Sequence, residues 1–383
     1  MESLLSEHLQ VLVDDIGERP GGSPGDHRAA AYIHGVFVEA GWEVEEQRFD
    51  CPAWTHHDTR LTLNGNQLPA AANAYSPACN LTAETMGVGT IAELEVAHLD
   101  GSIAVLYGDL MPGPLSPKSW FLKSEREDKV IRLLEEKQPI AVLTVQHHRG
   151  GLERLIEDWE FRIPSATITP ASALALLGEG QQVARLRIES EQSPGYSANI
   201  VARSPSRAKR VILCAHFDTK IDTPGALDNA SGTAVLLALA QTLKTADYPY
   251  GLEFVAFTNE EYMPIGDDEY LRRGGEDFDD VIVAINVDSV GQRLAANSIA
   301  LFSASSQFEN ALQGITAAYP GVVWVDPWPQ SNHSTFAMRG VPSIAFSSTG
   351  RIELAHWPDD DLRWIDSARV GDIVRLIADI LTL

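Results

Sequence analysis

The sequence is poor in cysteine and contains no long apolar run. Its 383 residues include three cysteines, Cys51, Cys79 and Cys214, and no Cys-x-x-Cys pair. An odd number of cysteines does not form a disulfide framework. No apolar run approaches the roughly 20 residues needed to span a bilayer. The N-terminal stretch also lacks the cationic and then apolar regions of a signal peptide. We therefore expect a soluble, cytoplasmic protein.

Basic residues are also scarce. The chain has 29 Lys and Arg against 53 Asp and Glu, a formal net charge of −24. Such a surface repels polyanions, which argues against nucleic acid and anionic membranes as main partners. With 44% hydrophobic and 21% charged residues the composition is globular. At this length we expect more than one structural unit.

The N-terminal segment predicts two helices joined by a loop. Apolar residues recur at helical spacing up to Ile16, and a second helix is predicted from Asp26, as its N-cap, to Gly41. The loop contains Gly21-x-Ser23-x-Gly25, the letters of a nucleophile elbow. That motif follows a strand, whereas a helix precedes this one. We therefore reject a serine nucleophile here.

The character of the sequence changes from about Pro52 to Ser193. Short β-like runs alternate with turns, and one helical segment interrupts them at about Lys123 to Lys137. No cluster with metal-ligand spacing occurs there. We predict a smaller β-rich domain, residues 53–195, inserted into a main domain made of residues 1–52 and 196–383.

After Tyr196 the pattern becomes α/β. Near-continuous apolar runs alternate with helical segments such as Ala230–Leu243 and Ser367–Leu381. Apolar strands of this kind are buried on both sides. The pattern predicts a mixed, mostly parallel central sheet with helices on both faces.

Three of the apolar runs end in potential metal ligands. VILCA runs into His216, LEFVAFTN runs into Glu260-Glu261, and VIVAINV runs into Asp288. Sites in open α/β sheets form at the carboxyl ends of strands. The three runs are therefore expected to converge on one edge of the sheet.

Two further residues extend this set. Asp228 stands just before a predicted helix, and His333 lies in a polar turn. Taken alone, His216 is equally a core histidine, Asp228 an N-cap and His333 a surface histidine. Their joint placement favours a site for two divalent ions, because five ligands are accompanied by one spare glutamate.

These motifs together resemble the co-catalytic zinc aminopeptidase family. The superfamily of that family also contains glutamate carboxypeptidase, glutaminyl cyclase and the transferrin receptor. The matching segments run in family order through most of Tyr196 to Asp366: His216-x-Asp218, Gly225-Ala-x-Asp228-Asn-x-Ser-Gly232, Asn259-Glu-Glu261, Asn286-x-Asp288-x-x-Gly291, Ser331-x-His333 and a weaker His356-x-x-x-Asp360. The resemblance implies a phosphorylase/hydrolase-like zinc exopeptidase fold. The inserted domain is similar to a protease-associated domain.

The resemblance also implies a role for each matching residue. Two divalent ions, zinc by preference, would share Asp228. His216 and Asp288 would complete the ligands of one ion, and Glu261 and His333 those of the other. Asp218 would orient His216, and Glu260 would be the general base and acid. For His356 two interpretations stay open: an ordinary loop histidine, or a cleft residue that contacts the substrate or the developing oxyanion.

The implied activity is that of a dizinc aminopeptidase. It would hydrolyse the N-terminal peptide bond of a peptide or dipeptide through a water bridging the two metals. Two residues depart from the family pattern: Asn332 stands where many relatives carry Asp, and Asp267 where many carry Ser. The first is expected to weaken support of His333, and the second to reshape the pocket wall.

Other activities on the same scaffold remain open. A carboxypeptidase, a dipeptidase or a glutaminyl cyclase would differ in its pocket, and Arg339, Arg351 and Arg363 are candidates to bind a substrate carboxylate. A non-catalytic binding protein is a further alternative, which the complete ligand set and Glu260 disfavour. The sequence leaves the oligomeric state and the side-chain preference open.

Overall fold

The protein was analysed as a computed structural model that describes residues 1–120, 122–146, 151–205, 207–244, 247–274, 278–350 and 354–383. It divides into two compact units, one made of Met1–Cys51 with Gly195–Leu383 and the other of Pro52–Pro194. The assignment of these units as a peptidase domain and a protease-associated domain stays a prediction.

The chain begins with helix α1 (Glu2–Gln10), a wider helical turn (Val11–Ile16), helix α2 (Pro24–Glu39) and strand β1 (Glu43–Leu63). Ser23, not Asp26, caps α2: the Ser23 hydroxyl accepts a hydrogen bond from the Asp26 amide at 3.1 Å. The prediction of Asp26 as the cap was wrong because its carboxylate turns inward and accepts hydrogen bonds from Ser197 and Thr258.

The elements of the second unit, with the long strand that leaves it, are β2 (Asn66–Leu68), β3 (Ala70–Ala72), β4 (Cys79–Val88), α3 (Ile91–Val96), β5 (Ile103–Leu106), α4 (Glu125–Lys137), β6 (Ala141–Val145), β7 (Ser165–Ile168), α5 (Pro170–Leu176) and β8 (Val183–Arg203). Strands β4 to β7 pair in parallel, whereas β8 and β3 add antiparallel partners. Neighbouring residues of β5 belong to different cores, with Ala104 and Leu106 in one and Ile103 and Val105 in the other. Both faces of this sheet are therefore covered.

The first unit continues with β9 (Arg210–His216), α6 (Ser231–Leu243), β10 (Gly251–Phe257), α7 (Ile265–Gly274), β11 (Val281–Val287), β12 (Asn297–Phe302), α8 (Ser306–Thr316), β13 (Val322–Trp324), α9 (His333–Ala337), β14 (Ser343–Ser348) and α10 (Ser367–Ile380). The strand order within the unit is β13-β12-β14-β11-β9-β10-β8. Strands β14, β11, β9 and β10 are parallel, and β12 and β8 are antiparallel to their neighbours β14 and β10.

Helices cover both faces of this sheet. Because successive side chains of a strand point to opposite faces, neighbouring residues pack into different cores. Leu213 of β9 packs in the core that contains α1, α2, α6 and α10, whereas Cys214 packs in the core that contains Tyr270 of α7 and Phe336 of α9. The predicted α/β class with a mixed, mostly parallel sheet is confirmed. In the described part of the chain, no helix combines the length and the apolar character needed to cross a membrane.

Candidate metal centre

The carboxyl ends of three neighbouring parallel strands meet at one edge of the sheet. His216 is the last residue of β9 and pairs in register with Phe257, the last residue of β10. Strand β11, on the other side of β9, leads directly into Asp288. Parallel strands in register end at the same level. The predicted convergence of the three apolar runs is therefore present in the structure.

The first cluster consists of His216, Asp228 and Asp288. The His216 Nε2 atom lies 3.2 Å from Asp228 Oδ1 and 3.6 Å from Asp288 Oδ1. The other ring nitrogen, Nδ1, lies 3.5 Å from Asp218 Oδ1. Burial lowers the pKa of His216, but Glu260 and the three aspartates raise it well above its ordinary value. The imidazole thus stands in a strongly anionic environment.

The second cluster consists of Asp228, Glu261 and His356. The His356 Nε2 atom lies 3.2 Å from Asp228 Oδ2 and 3.2 Å from Glu261 Oε2. Asp228 therefore presents one carboxylate oxygen to each cluster. Burial raises the pKa of Asp228, but the imidazoles of His216 and His356 outweigh it and hold that pKa well below its usual range. The bridging carboxylate is thus held ionised.

The donor atoms of the two clusters fit a pair of divalent ions. In each cluster three ligand atoms from different residues lie within 4.8 Å of one another. Asp228 Oδ1 and Glu261 Oε1 are buried and accept no hydrogen bond from the described part of the chain. Buried carboxylate oxygens are normally satisfied, so these atoms are oriented to receive a cation. Imidazole nitrogens with carboxylate oxygens are ligands that zinc accepts.

Asp218 holds the turn that carries both glutamates. Its Oδ1 atom accepts a hydrogen bond from the Glu260 amide at 3.1 Å, and its Oδ2 atom accepts one from the Glu261 amide at 3.2 Å. Asn259 precedes this turn with a φ of 61°, in the left-handed region. Asp218 therefore contacts His216 on one side and the Glu260–Glu261 backbone on the other.

Glu260 lies beside the two clusters but contributes to neither of them among the described residues. Burial raises the pKa of Glu260 well above its ordinary value; His216 opposes this rise, and Glu261 and Asp288 add to it. A carboxylate with a raised pKa accepts a proton more readily than a free glutamate does. Its surroundings are suited to a general base.

His333 lies outside both clusters, in contrast to the ligand role that the resemblance implies. Its Nε2 atom donates a hydrogen bond to the Trp328 carbonyl at 2.8 Å. Its ring is wholly buried between Phe302 and Trp328, with centroids 4.5 Å away on each side. Its other ring nitrogen, Nδ1, is buried without a hydrogen bond among the described residues and belongs to neither cluster. The structure instead gives the position beside Asp228 and Glu261 to His356.

Asp360 is a residue of this site whose role the sequence did not indicate. Its carboxylate accepts hydrogen bonds from the Leu227 amide at 2.8 Å and from the Asp228 amide at 3.0 Å. The segment that carries His356 is therefore anchored on the backbone of the bridging aspartate. The weak His356-x-x-x-Asp360 match was the available signal, because both of its polar residues reach Asp228.

The two departures from the family pattern are in contact with each other. The Asn332 side-chain amide donates to both carboxylate oxygens of Asp267, at 3.2 and 2.9 Å, and Thr335 also donates to this carboxylate. The carboxylate is thus supplied by α7 and the amide by the loop before α9. Each departure from the family pattern is thus the hydrogen-bond partner of the other, and weaker support of His333 stays a prediction.

The buried carboxyl group of Asp267 should make the free energy of unfolding depend on pH. Burial raises its pKa from 3.8 to about 6, against the hydrogen bonds from Thr335 and Asn332. The folded state therefore holds this proton more tightly than the unfolded state. The resulting stabilisation is complete below pH 3.8 and is lost as the pH rises through about 6. Its loss between pH 4.5 and 7.5 is on the order of 2 kcal/mol.

We expect Asp267→Asn to abolish this part of the pH dependence. The measurement is urea unfolding of metal-free wild-type and variant proteins at both pH values. The free energy of unfolding of the wild type should fall relative to that of the variant by about 2 kcal/mol on going to pH 7.5. A constant difference between the two proteins would contradict the prediction. Asp372→Asn, on the exposed side of α10, is the matched control.

Comparison with known proteins shows which peptidase family part of this chain resembles. Residues 199–381, which carry both clusters, match the model of Peptidase family M28. This segment is similar to that peptidase family, and the resemblance seen in this part of the sequence is confirmed.

Individual relatives agree with this placement. Aminopeptidase YwaD from Bacillus subtilis (strain 168) is 24% identical over 96% of this chain and 82% of its own length. Leucine aminopeptidase 2 from Trichophyton equinum is 23% identical over 76% of this chain. The matched region covers 59% of the length of that enzyme. The solved structure of BSAP, a zinc aminopeptidase from Bacillus subtilis, has a TM-score of 0.81 at 20% identity, covering 100% of this chain and 94% of BSAP.

Proposed function

We propose that this chain is a zinc-dependent aminopeptidase that holds two divalent ions and hydrolyses the N-terminal peptide bond of peptides or dipeptides. One observation carries the proposal: Asp228 presents one oxygen to His216 and the other to His356. A carboxylate shared in this way, with further acidic ligands on both sides, suits a pair of metal ions. The names of the similar proteins support the peptidase activity.

The residues divide between the two ions as follows. One ion would be held by His216, Asp228 and Asp288, and the other by Asp228, Glu261 and His356. When bound, two such ions polarise a substrate carbonyl and lower the pKa of a water molecule. This assignment replaces His333 by His356 and retains the other four ligands that the resemblance implies.

Glu260 is the proposed general base and acid. It would take a proton from the attacking water and transfer it to the departing amine, so that the leaving group departs neutral. Glu261 is occupied as a ligand and is poorly available for this duty. The hydrogen bonds from both backbone amides to Asp218 hold the main chain that carries the two glutamates.

The alternatives differ in what they require at the substrate pocket. A carboxypeptidase needs a cation for the terminal carboxylate. Arg363 is largely exposed and paired with Asp361 at 2.7 Å, and the exposed Arg339 donates to the Thr335 carbonyl at 2.9 Å. Arg351 lies outside the described residues. These two arginines therefore give no support to a carboxylate pocket, whereas the similar aminopeptidases support recognition of a free amine.

The decisive experiment compares free and blocked substrates. We expect the zinc-loaded protein to hydrolyse leucine p-nitroanilide and to leave N-acetyl-leucine p-nitroanilide intact, because recognition requires the free amine. With a hexapeptide, mass spectrometry should show loss of the N-terminal residue first. Activity should disappear after treatment with a chelator and return with added zinc. Release of the C-terminal residue, or activity that survives chelation, would overturn the proposal.

A further inference from the structure

The loop between the first two helical segments has no part in the proposed chemistry, yet it contains a wholly buried arginine. Arg19 is 0% exposed and lies beside residues that flank the metal ligands. Burying an arginine is unfavourable unless its guanidinium is fully hydrogen-bonded. The partners of Arg19 therefore indicate what the loop does.

All of the hydrogen bonds that the Arg19 guanidinium makes within the described residues go to main-chain carbonyls. Its Nε atom donates to Phe217 at 2.8 Å, its Nη1 atom donates to Pro224 at 2.8 Å, and its Nη2 atom donates to Gly225 at 3.1 Å. The Nη1 atom also contacts the carbonyls of the preceding helical turn, Leu12 at 2.8 Å and Gly17 at 2.7 Å.

These carbonyls belong to two segments that carry ligands. Phe217 stands between His216 and Asp218, whereas Pro224 and Gly225 lead into Asp228. The backbone of Arg19 adds a second connection, because its amide donates to Thr219 Oγ1 at 2.8 Å and its carbonyl accepts from the Thr219 amide at 3.3 Å. One side chain thus joins the segment after β9 to the loop that supplies the shared ligand.

The space around this junction is tight. A Cβ atom on Gly225 would lie 2.2 Å from Thr219 Cγ2, and Gly225 has a φ of 63°. The two segments therefore cannot move closer together, and the planar guanidinium prevents them from separating. A lysine ammonium keeps the charge but donates at most three hydrogen bonds from a flexible stem.

Arg19 also leaves the ligand oxygens free. Burial lowers the pKa of Arg19, and the nearby carboxylates raise it, so that it stands at about 10. The four carboxylates belong to Asp360, Asp218, Glu261 and Asp228. Nevertheless its N–H groups bind carbonyls and none of these carboxylates. The arginine thus supplies positive charge near the acidic clusters without occupying an oxygen that a metal ion needs.

We propose that Arg19 is a positioning residue for the metal centre, which sets the distance between His216 and Asp228 by binding the main chain on both sides. This inference rests on the proposed function, since it assumes that these residues bind metal. It predicts that the geometry of the guanidinium, and not its charge alone, determines metal affinity.

The test uses Arg19→Lys, Arg19→Met and the control Arg28→Met in the full chain. Arg28 is an exposed arginine of α2 that also donates to a carbonyl, that of Ile16 at 2.8 Å. Metal affinity is measured by competitive titration of Co²⁺ and Zn²⁺ against a chromophoric chelator, and folding by circular dichroism and thermal melting. We expect both Arg19 variants to bind metal about 10- to 100-fold more weakly, as losses of supporting groups do. We also expect a lower kcat with nearly unchanged KM, and Arg28→Met should behave as the wild type.

Arg19→Lys decides between geometry and charge. A folded Arg19→Lys protein with the metal affinity and kcat of the wild type would overturn the inference. If both Arg19 variants fail to fold, Thr219→Val takes their place, because it keeps the side-chain shape and removes the acceptor for the Arg19 amide. A wild-type metal affinity in folded Thr219→Val would equally overturn the inference. A wild-type chain that binds no divalent ion would instead overturn the proposed function.

Discussion

Glu260→Gln is expected to lower kcat by about 10²- to 10⁴-fold, the contribution that a positioned general base makes to catalysis. Glutamine has nearly the same shape as glutamate but cannot accept the proton of the attacking water. The backbone amide of residue 260 should still donate to Asp218. Because Glu260 contributes to neither cluster, we expect metal content to stay at the wild-type value. The measurements are steady-state kinetics with a free-amine substrate and elemental analysis of the same sample.

The control for this experiment is Glu309→Gln, an exposed glutamate of α8. It makes the same chemical change at an exposed position that belongs to neither cluster and should leave both kcat and metal content unaltered. Undiminished activity in Glu260→Gln would refute its role as the base. A parallel loss of metal would instead show that Glu260 is needed to form the metal centre.

His356→Ala is expected to remove tight binding of one of two divalent ions. Its imidazole is the nitrogen ligand of the second cluster, with Nε2 at 3.2 Å from a carboxylate oxygen of Asp228 and of Glu261. Loss of a direct ligand should exceed the roughly 10- to 100-fold loss in affinity that removal of a supporting group causes. Isothermal titration of the metal-free protein with zinc measures the number and affinity of the sites.

His333→Ala is the matched comparison, because the resemblance assigns the ligand role to that residue. Its ring donates to the Trp328 carbonyl and packs between two aromatic rings. We therefore expect a lower melting temperature, with two zinc sites retained. If His333→Ala lost one site and His356→Ala kept both, the assignment of His356 would be wrong and that of His333 would be restored.

The α/β architecture of the first unit was predictable from local patterns. Apolar runs such as Val281–Val287 are recognisable because a strand in a covered sheet is buried on both sides. The helix at Ser231–Leu243 begins one residue from its predicted start, and the helix at Ser367–Ile380 ends one residue before its predicted end. The cap of α2 was mistaken, because Ser23 and Asp26 are both capping residue types and only the surrounding structure turns Asp26 inward.

The second unit shows the limit of such patterns. Two of its strands, Ile103–Leu106 and Ala141–Val145, fall on short β-like runs of the sequence. Their parallel pairing and the helices Ile91–Val96 and Pro170–Leu176 were not predicted. Short apolar runs identify strands, but pairing direction depends on contacts that are distant in sequence.

The candidate metal centre likewise contains groups that the sequence indicates and groups that only the structure brings together. His216, the Glu260–Glu261 pair and Asp288 follow directly from the sequence, because a buried strand that ends in a polar residue places that residue at a known edge of the sheet. His356, Asp360 and Arg19 lie on loops, where local sequence does not determine direction. Only the tertiary structure brings His356 to Asp228, joins Asp267 to Asn332, and surrounds Arg19 with carbonyls. The groups at strand ends were thus indicated by the sequence itself, whereas the groups that only the structure brings together depend on contacts between segments 65 or more residues apart.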